Sequence, residues 1–144
     1  MAGANRPLSP HLQIWKWGPA MAASIAHRAT GTILALVGIP VLVWWLLAAA
    51  AGAESYGTFR TWVIDAGEAG GLAVLTTILF KLAAIVVAWS FFQHMLSGLR
   101  HLVLDMGAGY ELKANRTVAL LTFVGSIILT LLLVAFVAMR GLGS

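Results

Sequence analysis

The chain has 144 residues, of which 60% are hydrophobic and 10% charged, and its mean hydropathy of +0.92 excludes an ordinary soluble domain. It contains no cysteine, which excludes a disulfide, a thiolate metal site or an iron–sulfur cluster held by this chain, so any redox cofactor must be held by histidine. The net charge of +4 does not indicate nucleic-acid binding, because the basic residues stand beside the hydrophobic runs and form no patch with interleaved aromatic residues.

Three apolar runs are long enough to cross a bilayer, which takes about 20 helical residues. They predict an all-α membrane protein with transmembrane helices at about 21–50, 72–103 and 117–140, within a single membrane-anchor domain over residues 1–144. Arginine and lysine precede the first run and surround the second connection, whereas the first connection is mostly acidic (Glu54, Asp65 and Glu68 against Arg60). The positive-inside rule then predicts a cytoplasmic N-terminus and a periplasmic C-terminus. With no cleavable signal in the first residues, a multi-pass protein of the bacterial inner membrane is the simplest interpretation.

The first 20 residues predict an irregular arm on the inner surface of the membrane. Pro7, Pro10 and Pro19 interrupt any helix there. Trp15 and Trp17 flank a lysine, and such amphipathic side chains suit the membrane interface.

The first span carries a polar face. Ser24, His27, Arg28 and Gly31 follow the i, i+3, i+4, i+7 spacing of one helix face, and small residues continue it. From spacing alone, this face is either a functional cluster or an interfacial arginine with its neighbours bonded to the backbone. Further along, Pro40 predicts a kink.

The second span ends in a polar stripe formed by His94, Gly98, His101 and Asp105, with Ser97 at its edge. Ionisable groups are costly inside a membrane and usually face a bundle interior, a cofactor or a proton path. His94 is therefore a candidate haem ligand, a helix–helix hydrogen-bonding group or part of a proton relay. His94 and His101 lie about 10 Å apart on one side of a helix. They cannot ligate opposite faces of one iron, so a second ligand would have to come from elsewhere, most simply from a partner subunit.

The second connection is short and contains Gly107 and Gly109, so the second and third helices are expected to be antiparallel neighbours. The third span is apolar apart from a stripe that predicts a helix-packing face, made of Thr122, Ser126 and Thr130.

Three segments together carry a resemblance to a known family. They are R-P-L-S-P-H at 6–11, S-I-A-H-R-A-T-G at 24–31 and H-M-L-S-G-L-R-H-L-V-L-D at 94–105. In this order and with three spans, they resemble the cytochrome b556 subunits of succinate dehydrogenase, the larger membrane anchors of respiratory complex II. The resemblance covers essentially the whole chain.

The resemblance implies roles for particular residues. His94 matches the axial ligand of a haem b that is shared with the small anchor subunit, and His27, Arg28 and His101 match positions near the haem propionates. Ser24 and Arg28 match the quinone-binding serine and arginine. Trp17, Met21 and Ile25 match positions that line the quinone pocket. Asp105 matches the acid that ends the motif, with a structural or proton-conducting role.

The function implied is that of the membrane anchor of succinate:quinone oxidoreductase, with an iron–sulfur subunit, a flavoprotein subunit and ubiquinone or menaquinone as further components. Succinate oxidation would take place in the flavoprotein and not in this chain. Two alternatives stay open. One is the anchor of a quinol:fumarate reductase, although the single buried His94 disfavours its haem-free and two-haem forms. The other is a non-redox proton-relay or assembly protein that uses His94, His101 and Asp105.

Overall fold

The computed structural model describes residues 10–64 and 71–142, and every regular element in these ranges is a helix. Residues 1–9 of the predicted arm, including the R-P-L-S part of the first quoted segment, lie outside the described residues, as do Asp65 and Glu68. The helices are α1 (His11–Ile14), α2 (Pro19–Ile33), α3 (Ile39–Ala51), α4 (Ala53–Val63), α5 (Gly71–Asp105) and α6 (Leu112–Leu142). Three of the stretches they form are long and apolar enough to cross a membrane, namely Pro19–Ala51, Val74–Asp105 and Leu112–Arg140. The prediction of an all-α protein with three transmembrane helices is confirmed.

The first span is one continuous stretch in which a π-helical turn, Leu34–Gly38, joins α2 to α3. Its widened turn is closed by the Ile39 N–H, which donates to the carbonyl of Leu34 five residues earlier. Pro40 follows directly. Proline has no N–H to donate and its ring crowds the carbonyl four residues back, so a wider turn ahead of it relieves the clash. The distortion expected at Pro40 therefore takes the form of a π turn.

The second and third spans form an antiparallel helical hairpin. The turn between α5 and α6 contains Gly107 and Gly109, whose φ values of 83° and 78° lie in the left-handed region that favours glycine. Helix α6 begins at Leu112, five residues before the expected start at 117. The start of the helix, which contains Lys113 and Arg116, precedes the apolar run. Helix α2 packs against both members of the hairpin.

The interior of the bundle is small and polar rather than large and apolar. Ala23 and Ala119 are fully buried, together with a set of hydroxyl and amide side chains that comprises Thr30, Ser90, Gln93, Ser97, Thr122, Ser126 and Thr130. Large aliphatic side chains cover the outside. This distribution is typical of membrane helices, in which small residues let the backbones approach and polar side chains bond across the interface.

The two ends of the bundle are distinguished below by what they contain. At the histidine end, α2 and α6 begin, α5 ends, and His27, His94 and His101 lie together. At the α4 end, α4 packs against α3 and α5, and Phe59 is buried in edge-to-face contact with Trp44.

Candidate functional site

The imidazole of His94 lies against the backbone of α2. Its Nδ1 is 3.0 Å from the carbonyl oxygen of His27, which can only accept a hydrogen bond, so Nδ1 carries the proton. The Thr30 hydroxyl, at 3.5 Å, donates its own proton to the carbonyl of Ala26 and can act only as a second acceptor. The neutral ring therefore presents the lone pair of Nε2, for which no hydrogen bond to the described residues is found. This is the arrangement in which histidine binds a metal, with the other ring nitrogen held by a carbonyl.

Glycine at position 31 makes room for that ring. A Cβ placed on Gly31 would lie 2.9 Å from Cε1 of His94 and 3.2 Å from its Nδ1. The first distance is shorter than a van der Waals contact allows. One turn towards the end of α5, a Cβ on Gly98 would lie 3.7 Å from Cε1 of His27, which is ordinary contact. The space for the His94 ring therefore depends on glycine at position 31.

His27 and His101 complete a cluster of three rings. The rings of His27 and His94 are stacked, with centroids 3.9 Å apart and planes 10° from parallel, and the His101 ring meets His27 edge-on at 5.3 Å. Nδ1 of His27 is 2.7 Å from the hydroxyl of Ser97. That hydroxyl has one proton and lies 2.6 Å from the carbonyl oxygen of Gln93, to which it must donate. Nδ1 of His27 is therefore the donor to Ser97, and Nε2 of His27 also presents a lone pair.

The predicted quinone-binding residues occupy the exposed side of the first turns of α2. The Arg28 side chain is exposed and reaches the Ser24 hydroxyl and the Ser24 carbonyl, both at 3.4 Å. Ile25 is 46% exposed on the same side. Trp17 and Met21 line a cleft of about 370 Å³ between the start of α2 and the start of α6, to which Lys16 and Arg116 add positive charge.

The structure thus brings the predicted residues together as two neighbouring groups. The three histidines form one group between α2 and α5, and Ser24 with Arg28 form the other on the outer face of α2. Asp105, the last residue of α5, is exposed and lies one turn beyond His101.

Several residues that shape the site were not expected from the sequence. Gln93 is completely buried and bonds to Thr122 and Ser126 of α6. Arg100 is buried and bonds to Asn115 of α6. The signal available in the sequence was the stripe of Thr122 and Ser126, which faces α5 and so packs a helix partner as predicted.

The donor set fits one axial bond to haem iron from this chain. A neutral imidazole with Nδ1 held and Nε2 free is a suitable ligand, and one histidine can supply only one side of the iron. No group of three or more histidine, cysteine, aspartate or glutamate residues in the described ranges is placed to hold a metal ion by itself. Cationic and hydrogen-bonding side chains at the same depth, above all Arg28, suit carboxylate groups.

Comparison with known proteins gives one consistent result. A family model described as succinate dehydrogenase/fumarate reductase transmembrane subunit matches residues 3–133. The succinate dehydrogenase cytochrome b556 subunit of Paracoccus denitrificans is 35% identical over 128 residues, which cover 89% of this chain and 88% of that protein. The corresponding subunit of Rickettsia felis is 31% identical over 129 residues, 90% of each chain. The mitochondrial cytochrome b560 subunit of Mus musculus is 35% identical over 106 residues, 74% of this chain and 56% of that protein.

Proposed function

Because the chain belongs to the succinate dehydrogenase/fumarate reductase transmembrane subunit family, we propose that it is the larger membrane anchor of a succinate:quinone oxidoreductase, complex II. The names of its relatives favour succinate dehydrogenase over fumarate reductase. The observation that carries the proposal furthest is the held imidazole of His94, with Nδ1 bonded to the carbonyl of His27 and Nε2 free. A proton relay or a helix–helix contact would not require that nitrogen to be left without a partner.

In this proposal His94 would hold the iron of haem b together with a ligand from the small anchor subunit. His27, Arg28 and His101 would hold the two propionates. When bound, haem b supplies a carrier for single electrons. This chain contributes the ligand, the cations and the low-dielectric surroundings that set the potential of the carrier. Since His27 donates through Nδ1 to Ser97, its Nε2 can donate to a propionate only when the ring is protonated.

The exposed side of α2 forms one wall of the quinone site. The Ser24 hydroxyl and the Arg28 guanidinium bind a quinone carbonyl, and Trp17, Met21 and Ile25 form apolar walls. A fixed cation beside the carbonyl stabilises the negative charge that the oxygen gains on reduction. Succinate is oxidised in the flavoprotein subunit, and electrons reach the quinone, ubiquinone or menaquinone, through the iron–sulfur subunit. The exposure of Arg28 and Ile25 in the single chain supports a site that those partners complete.

The chain is a multi-pass membrane protein, and we propose the bacterial inner membrane, with the histidine end on the cytoplasmic side and the C-terminus in the periplasm. Among the described residues, five cations lie at the histidine end (Lys16, Arg28, Arg100, Lys113 and Arg116) and three lie towards the α4 end (Arg60, Lys81 and Arg140), an excess in the direction that the positive-inside rule requires. The Paracoccus and Rickettsia relatives fit a bacterial membrane. The quinone site then faces the compartment that holds the soluble subunits.

The test is to purify the complex from membranes by a tag on this chain. We expect flavoprotein and iron–sulfur subunits to co-purify with a dithionite-reducible b-type spectrum, and His94→Ala to lose most of the haem signal while the subunits still assemble. His11→Ala, at an exposed histidine on α1, is the matched control and should keep the haem. A haem-to-flavin ratio that is the same in His94→Ala and in the unmodified complex would refute the assignment of His94.

A further inference from the structure

A polar side chain immediately beside His94 fixes how α5 sits against α6. Gln93 is completely buried. Its Oε1 accepts a hydrogen bond from the Ser126 hydroxyl at 2.8 Å, and its Nε2 donates to the Thr122 hydroxyl at 3.4 Å. These two partners stand one turn apart on α6, so the amide is held at both ends by a single helix. An amide without partners costs several kcal/mol in a membrane interior, so rotating or sliding α5 against α6 is opposed at this level.

The hydrogen bonds continue from Gln93 across α5 to α2. The carbonyl of Gln93 accepts from the Ser97 hydroxyl at 2.6 Å, and Ser97 in turn accepts from Nδ1 of His27 at 2.7 Å. The carbonyl of His27 holds Nδ1 of His94 at 3.0 Å. The bonds therefore run from α6 through α5 to α2 and return to His94.

We propose that Gln93 and Ser97 are positioning residues for the iron-ligating imidazole of His94, an inference that rests on the proposed haem-binding role. Gln93 and His94 are consecutive, so any rotation of α5 that breaks the amide bonds turns the imidazole by the same angle. Ser97 holds the side chain of His27, the residue whose carbonyl fixes the Nδ1 proton. Together they set where Nε2 of His94 points and how strongly the ring donates electrons.

The effect on electron donation by the His94 ring predicts the direction in which the haem potential should change. A hydrogen bond from Nδ1–H to a carbonyl makes an imidazole a stronger electron donor to a metal. A stronger donor favours ferric over ferrous iron. Weakening the bond between His94 and the His27 carbonyl should therefore raise the midpoint potential of the haem. A role limited to folding would lower the amount of haem and leave the potential of the remaining haem unchanged.

The experiment uses the intact, purified complex and compares three variants with the unmodified protein. Gln93→Leu removes the amide at similar volume. Thr122 keeps its donation to a carbonyl of its own helix at 2.8 Å, and the Ser126 hydroxyl can turn its one proton to the carbonyl of Phe123, which lies 2.9 Å away. Ser97→Ala removes the bond to His27. Thr130→Val is the matched control, since Thr130 is buried on the same stripe of α6 but donates only to the Ser126 carbonyl.

The readouts are the midpoint potential, the low-spin haem signal in electron paramagnetic resonance, and the rate of haem loss to excess apomyoglobin. We expect Gln93→Leu and Ser97→Ala to raise the potential, to broaden the haem signal and to weaken haem binding about tenfold, the low end for losing a group that orients a metal ligand. Thr130→Val should change none of these. A potential in both variants equal to that of the unmodified complex would overturn the proposal.

Two other outcomes, a variant that fails to assemble and a complex without haem, can be distinguished from failure of this proposal. If Gln93→Leu does not assemble, Ser126→Ala takes its place, because it removes the shorter of the two hydrogen bonds to the Gln93 amide with a minimal change in volume. A raised haem potential in Ser126→Ala supports the proposal, and an unchanged potential overturns it. If the unmodified complex holds no b-type haem, or if His94→Ala keeps a normal haem, the proposed function itself fails, and that outcome is visible without reference to Gln93 or Ser97.

Discussion

The two ends of the bundle are stabilised in different ways. At the histidine end, buried side chains are tied by directional hydrogen bonds between helices, such as Gln93 to Ser126 and His27 to Ser97. At the α4 end, the π turn, α3, α4 and α5 line an open cavity of about 750 Å³, almost entirely with apolar side chains, among them Trp45, Phe59, Phe80 and Phe92. Helix α3 contributes Ala48 as its only buried residue within the described part of that end, and α4 contributes Phe59.

The difference shows which end can hold chemistry. Hydrogen bonds are directional, so they fix the orientation of an imidazole or a hydroxyl. Apolar contacts fill space but fix orientation much less. The cost is that each buried polar group at the histidine end without a partner is destabilising, and that glycine must be present where the His94 ring passes close to the backbone. We therefore expect changes at the histidine end to alter function more than stability, and changes at the α4 end to do the reverse.

The largest effect is expected for Arg28→Ala. Losing a charged donor to the quinone removes a hydrogen bond of about 1.5–3 kcal/mol, so succinate:quinone reductase activity should fall by roughly 10- to 100-fold. Succinate oxidation by a soluble dye should remain largely intact, because the flavoprotein is untouched. Arg60→Ala is the matched control at the α4 end, where the arginine is also exposed. If both activities of Arg28→Ala fell equally, or if Arg60→Ala had the same effect, the contrast between the ends would not hold.

The same substitution, glycine to alanine, can be compared at two positions of the first span. In Gly31→Ala the new methyl group would lie 2.9 Å from Cε1 of His94, so the ring must move, and haem binding should weaken about tenfold. In Gly38→Ala the nearest atom is Cδ2 of Leu34 at 3.4 Å, which is ordinary contact. Haem should be unaffected there, and alanine should gain about 0.5–1 kcal/mol of stability over glycine in a helix. The haem-to-flavin ratio and thermal unfolding of both variants check this, and equal haem loss in the two would contradict it.

The spans and the polar stripe of α5 could be predicted from the sequence because both depend on local periodicity. Apolar length predicts a membrane helix, and the stripe of His94, Gly98 and His101 is visible at helical spacing. These two features need no knowledge of which helix lies beside which, whereas the packing of His94 on Gly31 depends on α2 and α5 being neighbours.

What could not be predicted depends on tertiary pairing. The partners of Gln93 are 29 and 33 residues away on α6, so local periodicity does not reveal them. Arg100 looks interfacial by charge and is buried only because Asn115 crosses from α6 to meet it. The π turn before Pro40 is one of several ways to relieve the proline clash, and the choice is made by packing.

The smallest expected effect tests the α4 end. Phe59 is 4% exposed and its ring meets Trp44 edge-on at 5.0 Å, a contact of about 1 kcal/mol beyond the area it buries. Phe59→Leu keeps an apolar side chain but loses that contact and enlarges the cavity, so the complex should unfold a few degrees earlier in differential scanning fluorimetry. Trp62→Leu, at an exposed aromatic residue on the same helix, should leave the unfolding temperature nearly unchanged. The haem potential should not move in either variant, because no directional bond to His94 passes through α4 in the described chain. If the haem potential shifted in Phe59→Leu as much as in Gly31→Ala, packing at the α4 end would also orient the imidazole of His94.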